Sequence, residues 1–119
     1  MRTLWAAALL SLFVGGTQIV DVLKEPTKFN KKTVTIEGKA AVFEQRTSKI
    51  GNKYVTFQIT QGDQTLSVYA QGEVKPELKD DEKVTIKGRF FMENKVGTNT
   101  FKNEIVLNLK DKDALKREE

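Results

Sequence analysis

The chain has 119 residues, 39% hydrophobic and 30% charged, with 20 Lys and Arg against 16 Asp and Glu for a net charge of +4. That size fits one domain with a single core. It contains no Cys and no His, which removes disulfides, thiol nucleophiles, imidazole bases and most zinc or haem ligation, so a non-enzyme without metal or cofactor is expected.

The start of the chain is basic at Arg2, then apolar over residues 4–14 except for Ser11, then Gly15-Gly16-Thr17. These are the three regions of a secretory signal peptide, with Val14 and Gly16 as the small residues at −3 and −1. The run is short for a bilayer span, and no Cys follows it to carry a lipid. Residues 1–16 are therefore expected to be a signal peptide and the protein periplasmic or secreted, without a stable membrane span after cleavage. A buried N-terminal helix or a short membrane anchor is the alternative, and a chain without a signal is cytoplasmic. Cleavage after Gly16 removes Arg2 and Trp5 and leaves a net charge of +3, which permits a polyanionic partner without demanding one.

Residues 17–25 predict a short amphipathic helix with Ile19, Val22 and Leu23 on one face, Thr17 as N-cap and Pro26 closing it. A first strand over 33–45 puts Val34, Ile36, Gly38, Ala40 and Val42 on one side and Thr35, Glu37, Lys39 and Phe43 on the other. A loop, 46–53, turns at Gly51-Asn52. The second strand, 54–60, buries Val55, Phe57 and Ile59. Gly62-Asp63 is a two-residue turn signal into the third strand, 65–70, which buries Leu66, Val68 and Ala70. Residues 71–82 read as a polar connection with Pro76 and one helical turn at most. The fourth strand, 83–93, buries Val84, Ile86, Gly88 and Phe90. After a loop at 94–99, the fifth, 100–109, buries Phe101, Ile105, Leu107 and Leu109. Residues 111–119 form a charged tail expected to fray. One domain over 17–110 follows, all-β with a short N-terminal helix.

Val34-Thr35-Ile36-Glu37-Gly38-Lys39 is echoed by Val84-Thr85-Ile86-Lys87-Gly88-Arg89. Each copy alternates apolar residues and ends in a glycine that lets a strand bend, as a small closed barrel requires. The plainer alternative is that two ordinary strands share a small vocabulary. The scattered carboxylates show no calcium-loop spacing and no acid/base pair, and no phosphate-cradling Gly-rich loop is present.

With Tyr54-Val55-Thr56-Phe57-Gln58-Ile59 leading through Gly62-Asp63 to Leu66-Ser67-Val68-Tyr69, and with Asp81-Glu82-Lys83 leading into the second copy, the chain resembles the OB-fold over residues 32–108. It is similar to the nucleic-acid-binding group that includes tRNA-anticodon-binding domains, and to small exported bacterial OB-fold proteins. The resemblance implies a five-stranded Greek-key barrel. One departure is the connection between strands three and four, where OB-folds usually carry a helix. Here the N-terminal helix is expected to plug the barrel instead.

The resemblance also implies binding on the face of strands two and three, flanked by the loops after strands one and four. The outward residues there are Tyr54, Thr56, Gln58, Ser67 and Tyr69. The tyrosines offer stacking surfaces for bases, or are simply good strand residues. Arg46, Lys49 and Lys53 give the first loop positive charge without an acid. Lys95 with Asn94 and Asn99 borders the second, and Lys39, Lys87 and Arg89 project from strands one and four. Residues 73–82 hold five acids and two bases and are expected to lie away from the ligand loops. Single-stranded nucleic acid or another polyanion is the first expected partner. The alternative is an envelope adaptor that binds a protein, peptide or polyanionic glycan on the same face.

Overall fold

A computed structural model describes residues 16–117. The expected signal segment lies outside the described residues except for Gly16. The protein is all-β apart from two short helices: α1 (Ile19–Lys24) and α2 (Pro26–Phe29) precede β1 (Thr33–Thr47), β2 (Lys53–Gln61), β3 (Gln64–Gln71), β4 (Lys83–Val96), β5 (Asn99–Asn108) and β6 (Leu115–Arg117). Among the described residues no helix is long and apolar enough to cross a membrane.

The strand order is β1-β2-β3-β5-β4, and β4 pairs back onto β1, so the sheet closes on itself. The β3–β5 ladder is parallel and the other ladders are antiparallel. The echo forms the closing seam by pairing with itself. Ile36 lies opposite Ile86, Val34 opposite Gly88, and Gly38 opposite Val84. Both glycines are needed for close approach. A Cβ on Gly38 would stand 2.5 Å from the Thr60 carbonyl oxygen, and one on Gly88 2.5 Å from the Val106 carbonyl oxygen. Each strand of the seam thus bends into its other neighbour where a side chain has no room.

The closed sheet is not a regular barrel, and β1 bulges within it. Ala41 faces Gln58 and Glu44 faces Thr56, so Val42 and Phe43 together stand against Phe57. Val42 takes φ +54° and is 58% exposed, while Phe43 packs on the core with its ring 6.3 Å from that of Phe57. This reverses the sides expected for both residues: one extra residue in a strand shifts the two-residue alternation.

A second correction falls on β5. Asn103 takes φ +54°, and the Met92/Asn103 position drops out of the β4–β5 ladder. The Met92 N–H instead donates to Asn30 Oδ1 at 2.8 Å. Phe101, expected in the core with Ile105, is therefore 43% exposed. The hairpin tip is also tighter than expected, with Val96 opposite Asn99 and Gly97 at φ +63°. Asn94 and Lys95 consequently sit in a strand, not a loop.

Helix α1 contributes Ile19 and Val22, both fully buried, to the core, and Leu23 packs against it. The expected apolar face of α1 is thus packed on the core. Its N-cap is Gln18, not Thr17, and no side chain of its own caps it. Gln61 takes that part: its Oε1 accepts the Ile19 N–H at 2.8 Å and its Nε2 donates to the Glu37 carbonyl at 2.8 Å. One side chain from β2 thereby ties α1 to β1. Pro26 ends α1 and also opens α2, where its fixed φ suits the first helical position.

The connection at 72–82 holds no helix, and it is not wholly polar, since Val74 and Leu78 are buried in the core. The charged segment after β5, expected to fray, is docked as far as Arg117. Ala114 is fully buried and β6 pairs with β4 through Ile86↔Leu115 and Val84↔Arg117. Arg117 Nε donates to Glu82 Oε2 at 2.6 Å and Nη2 to Oε1 at 2.9 Å, and Nη1 donates to the Pro76 carbonyl. The Arg117 hydrogen bonds, then the Lys79 N–H, hold the Glu82 carboxyl below its usual range. A carboxyl whose folded pKa is depressed stabilises above its unfolded pKa and loses that contribution as pH falls through the folded value. Arg117→Ala is expected to lower Tm at neutral pH, and the gap to wild type should narrow as acidification protonates the Glu82 carboxyl, below the ordinary carboxylate range. Thermal melts across pH check this; a gap that widens on acidification would show that Glu82 is not the partner that matters.

Candidate ligand-binding cleft

Alternation along β2, β3 and β5 turns Val55, Phe57, Ile59, Val68, Ala70, Ile105 and Leu107 inward and leaves a floor of outward residues. These residues fall into cross-strand rows. Tyr54 lies opposite Gln71, Thr56 opposite Tyr69, and Gln58 opposite Ser67, which in turn neighbours Glu104 on β5. Tyr54 and Tyr69 are diagonal neighbours, with ring centroids 5.5 Å apart and planes tilted by 33°. Both are half-buried, so they form a two-ring platform with one side open.

The floor is the base of an open cleft of about 1390 Å³. One wall is the tip of the β1–β2 arm, with Lys49 and Ile50. The other is the β4–β5 arm, with Asn94, Phe101 and Lys102. Of the residues expected to bind a ligand, Arg46, Lys49, Lys53, Tyr54, Thr56, Gln58 and Tyr69 line this cleft. Lys39, Lys87, Arg89 and Lys95 do not line it. Lys39 and Lys87 lie on the seam, opposite Lys83 and Thr35, and Arg89 spans from Thr33 on β1 to Val106 on β5. Lys95 faces Thr100 on the β4–β5 arm.

The charge of the first loop is largely internal. Arg46 Nη2 donates to Glu44 Oε1 at 2.6 Å, and the hydrogen bond and charge of Glu44 raise the Arg46 pKa further. Lys53 stands 3.5 Å from Glu73, and Glu77 accepts a hydrogen bond from Gln45. The acidic connection therefore reaches the base of the β1–β2 arm and does not stay clear of the ligand loops as expected. Lys49 and Lys102 have no ion pair among the described residues.

Sequence reasoning missed Ile50, Phe101, Lys102 and Glu104. Phe101 was hidden by the break at Asn103, although Asn is among the residues that tolerate positive φ. Glu104 carried a signal: an acid at outward parity beside the apolar Ile105 and Leu107. Among the described residues no group of acidic side chains gathers to hold a metal ion. Compared with known proteins, the chain matches no family model and no curated protein.

Proposed function

We propose that the protein is a non-catalytic OB-fold binding module that takes single-stranded nucleic acid across the outward face of β2 and β3. The observation that carries this reading is the Tyr54–Tyr69 pair on the floor of a cleft between two arms. Every base has an apolar face, and aromatic rings on an open sheet bind such faces with little regard to sequence. The strand order, closing through β1–β4 with β3 and β5 parallel, supports the OB-fold assignment. Lys49 and Lys102, one on each wall, are placed to meet phosphates. Val42, β-branched and at positive φ, lines the same cleft. Backbone strain of that kind concentrates at functional sites.

A second reading is favoured by the apolar rim. Ile50 is 84% exposed and joins Val42 and Phe101 around the cleft, which suits a protein or peptide partner of an exported envelope adaptor. Fluorescence anisotropy with labelled oligothymidylate over a salt series separates the two. Two phosphate contacts predict a log–log slope near −1.4, at about −0.7 per contact. No binding at low salt would remove the nucleic-acid reading. A chain cleaved after Gly16 in an extracytoplasmic fraction, binding no oligonucleotide, would favour the adaptor.

A further inference from the structure

Glu104 is the one charged residue buried among the described residues, at 6% exposed, yet it lies on the cleft floor and not in the core. Its Oε1 accepts a hydrogen bond from Asn94 Nδ2 at 3.0 Å, and its Oε2 receives none from any described residue. A carboxylate taken out of water is costly unless its oxygens accept hydrogen bonds, and one neutral amide leaves most of that capacity unused. In a cleft for a polyanion the same charge also repels the backbone. Both costs are offset if the ligand brings donors to this point.

We infer that Glu104 reads the Watson–Crick edge of a guanine base in the bound strand; this rests on the single-strand reading of the cleft. Ser67 is the cross-strand neighbour of Glu104 and stands two positions from Tyr69 on β3, about 7 Å along the strand. A base stacked on the tyrosines thus presents its edge toward the row formed by Gln58, Ser67 and Glu104. Guanine carries two adjacent donors on that edge, N1–H and the 2-amino group, which match the two oxygens of a carboxylate. Adenine and cytosine offer one amino group beside an acceptor nitrogen, and thymine or uracil one N–H between two carbonyls. Each of those sets an acceptor against the Glu104 carboxylate. Asn94 holds the carboxylate in place through Oε1.

The test is anisotropy with oligothymidylate carrying a single central deoxyguanosine, the same strand with deoxyinosine there, and plain oligothymidylate. The guanine strand is expected to bind about tenfold more tightly than the plain one. Deoxyinosine, lacking the 2-amino group, should lose most of that preference, an arm that needs no variant. Glu104→Gln, nearly isosteric, should abolish the preference of the guanine strand over plain oligothymidylate, read as the ratio of the two affinities. Equal binding of the three strands would overturn this inference while leaving the single-strand reading standing. So would a full guanine preference in Glu104→Gln. Failure of all three strands to bind would overturn both.

Discussion

Gly88→Ala is expected to destabilise the protein by about 3 kcal/mol, read as a fall in Tm of more than about 10 °C. The added methyl would stand 2.5 Å from the Val106 carbonyl oxygen, 2.7 Å from Leu107 Cδ2 and 3.0 Å from Ile105 Cγ2. The first of these is backbone within the β4–β5 ladder, where Val106 faces Arg89, so it cannot turn aside as a side-chain end can. Relief requires β4 to move off β5, and β4 is held on its other edge by the seam with β1. Gly38→Ala should act in the same sense, its methyl lying 2.5 Å from the Thr60 carbonyl oxygen and 2.9 Å from Ile59 Cγ1. Denaturant or thermal unfolding measures both. Losses under about 0.5 kcal/mol, the range of ordinary surface substitutions, would show that the strands separate freely and that the glycines are incidental.

Tyr54→Ala and Tyr69→Ala are each expected to weaken oligothymidylate binding by about 10- to 100-fold. Both rings lie on the outward face of the sheet and not in the core, so the stability cost should stay small beside the loss of affinity. The phenylalanine variants keep the ring and should bind close to wild type. Because the rings lie 5.5 Å apart, the double alanine variant should lose less than the sum of the two singles. Binding unchanged by either alanine variant would move the contact off the aromatic floor and toward the apolar rim around Ile50. Circular dichroism on each variant separates lost contact from lost fold.

What was legible in the chain follows from periodicity. Val34 and Ile36, Val55 to Ile59, Leu66 to Ala70, and Val84 to Phe90 alternate strictly, and each set is inside. Gly62-Asp63 makes the turn its dipeptide suggests, with Gly62 at φ +58° and Gln61 opposite Gln64. Alternation fails wherever the backbone breaks step. Val42 is a β-branched residue at positive φ, a conformation its side chain disfavours, so nothing local announced the bulge that turned it out and Phe43 in. Sequence also does not say which charges meet. Arg46 and Glu44 sit two positions apart on one strand, but Lys53 finds Glu73, and Arg117 finds Glu82, only through tertiary packing. The tyrosine floor was legible because it lies on regular strands. The burial of Glu104 was not, since it comes with the contact from Asn94 on β4.

The self-pairing of the echo bears on how the chain reaches its native state. The β1–β2, β2–β3 and β4–β5 ladders join neighbours in sequence through short tips, and such hairpins form on a microsecond scale. The seam joins segments separated by about fifty residues, so its loop-closure entropy is met only after those hairpins exist. Before that step, the edges of β1 and β4 present unpaired Val34, Ile36, Val84 and Ile86 to whatever strand arrives first. Two molecules at the same stage carry matching segments, and the first copy of one can pair with the second copy of another in the native register. The repeated hexapeptide that shuts the sheet within one chain is thus also the place where two chains would exchange halves when folding is crowded.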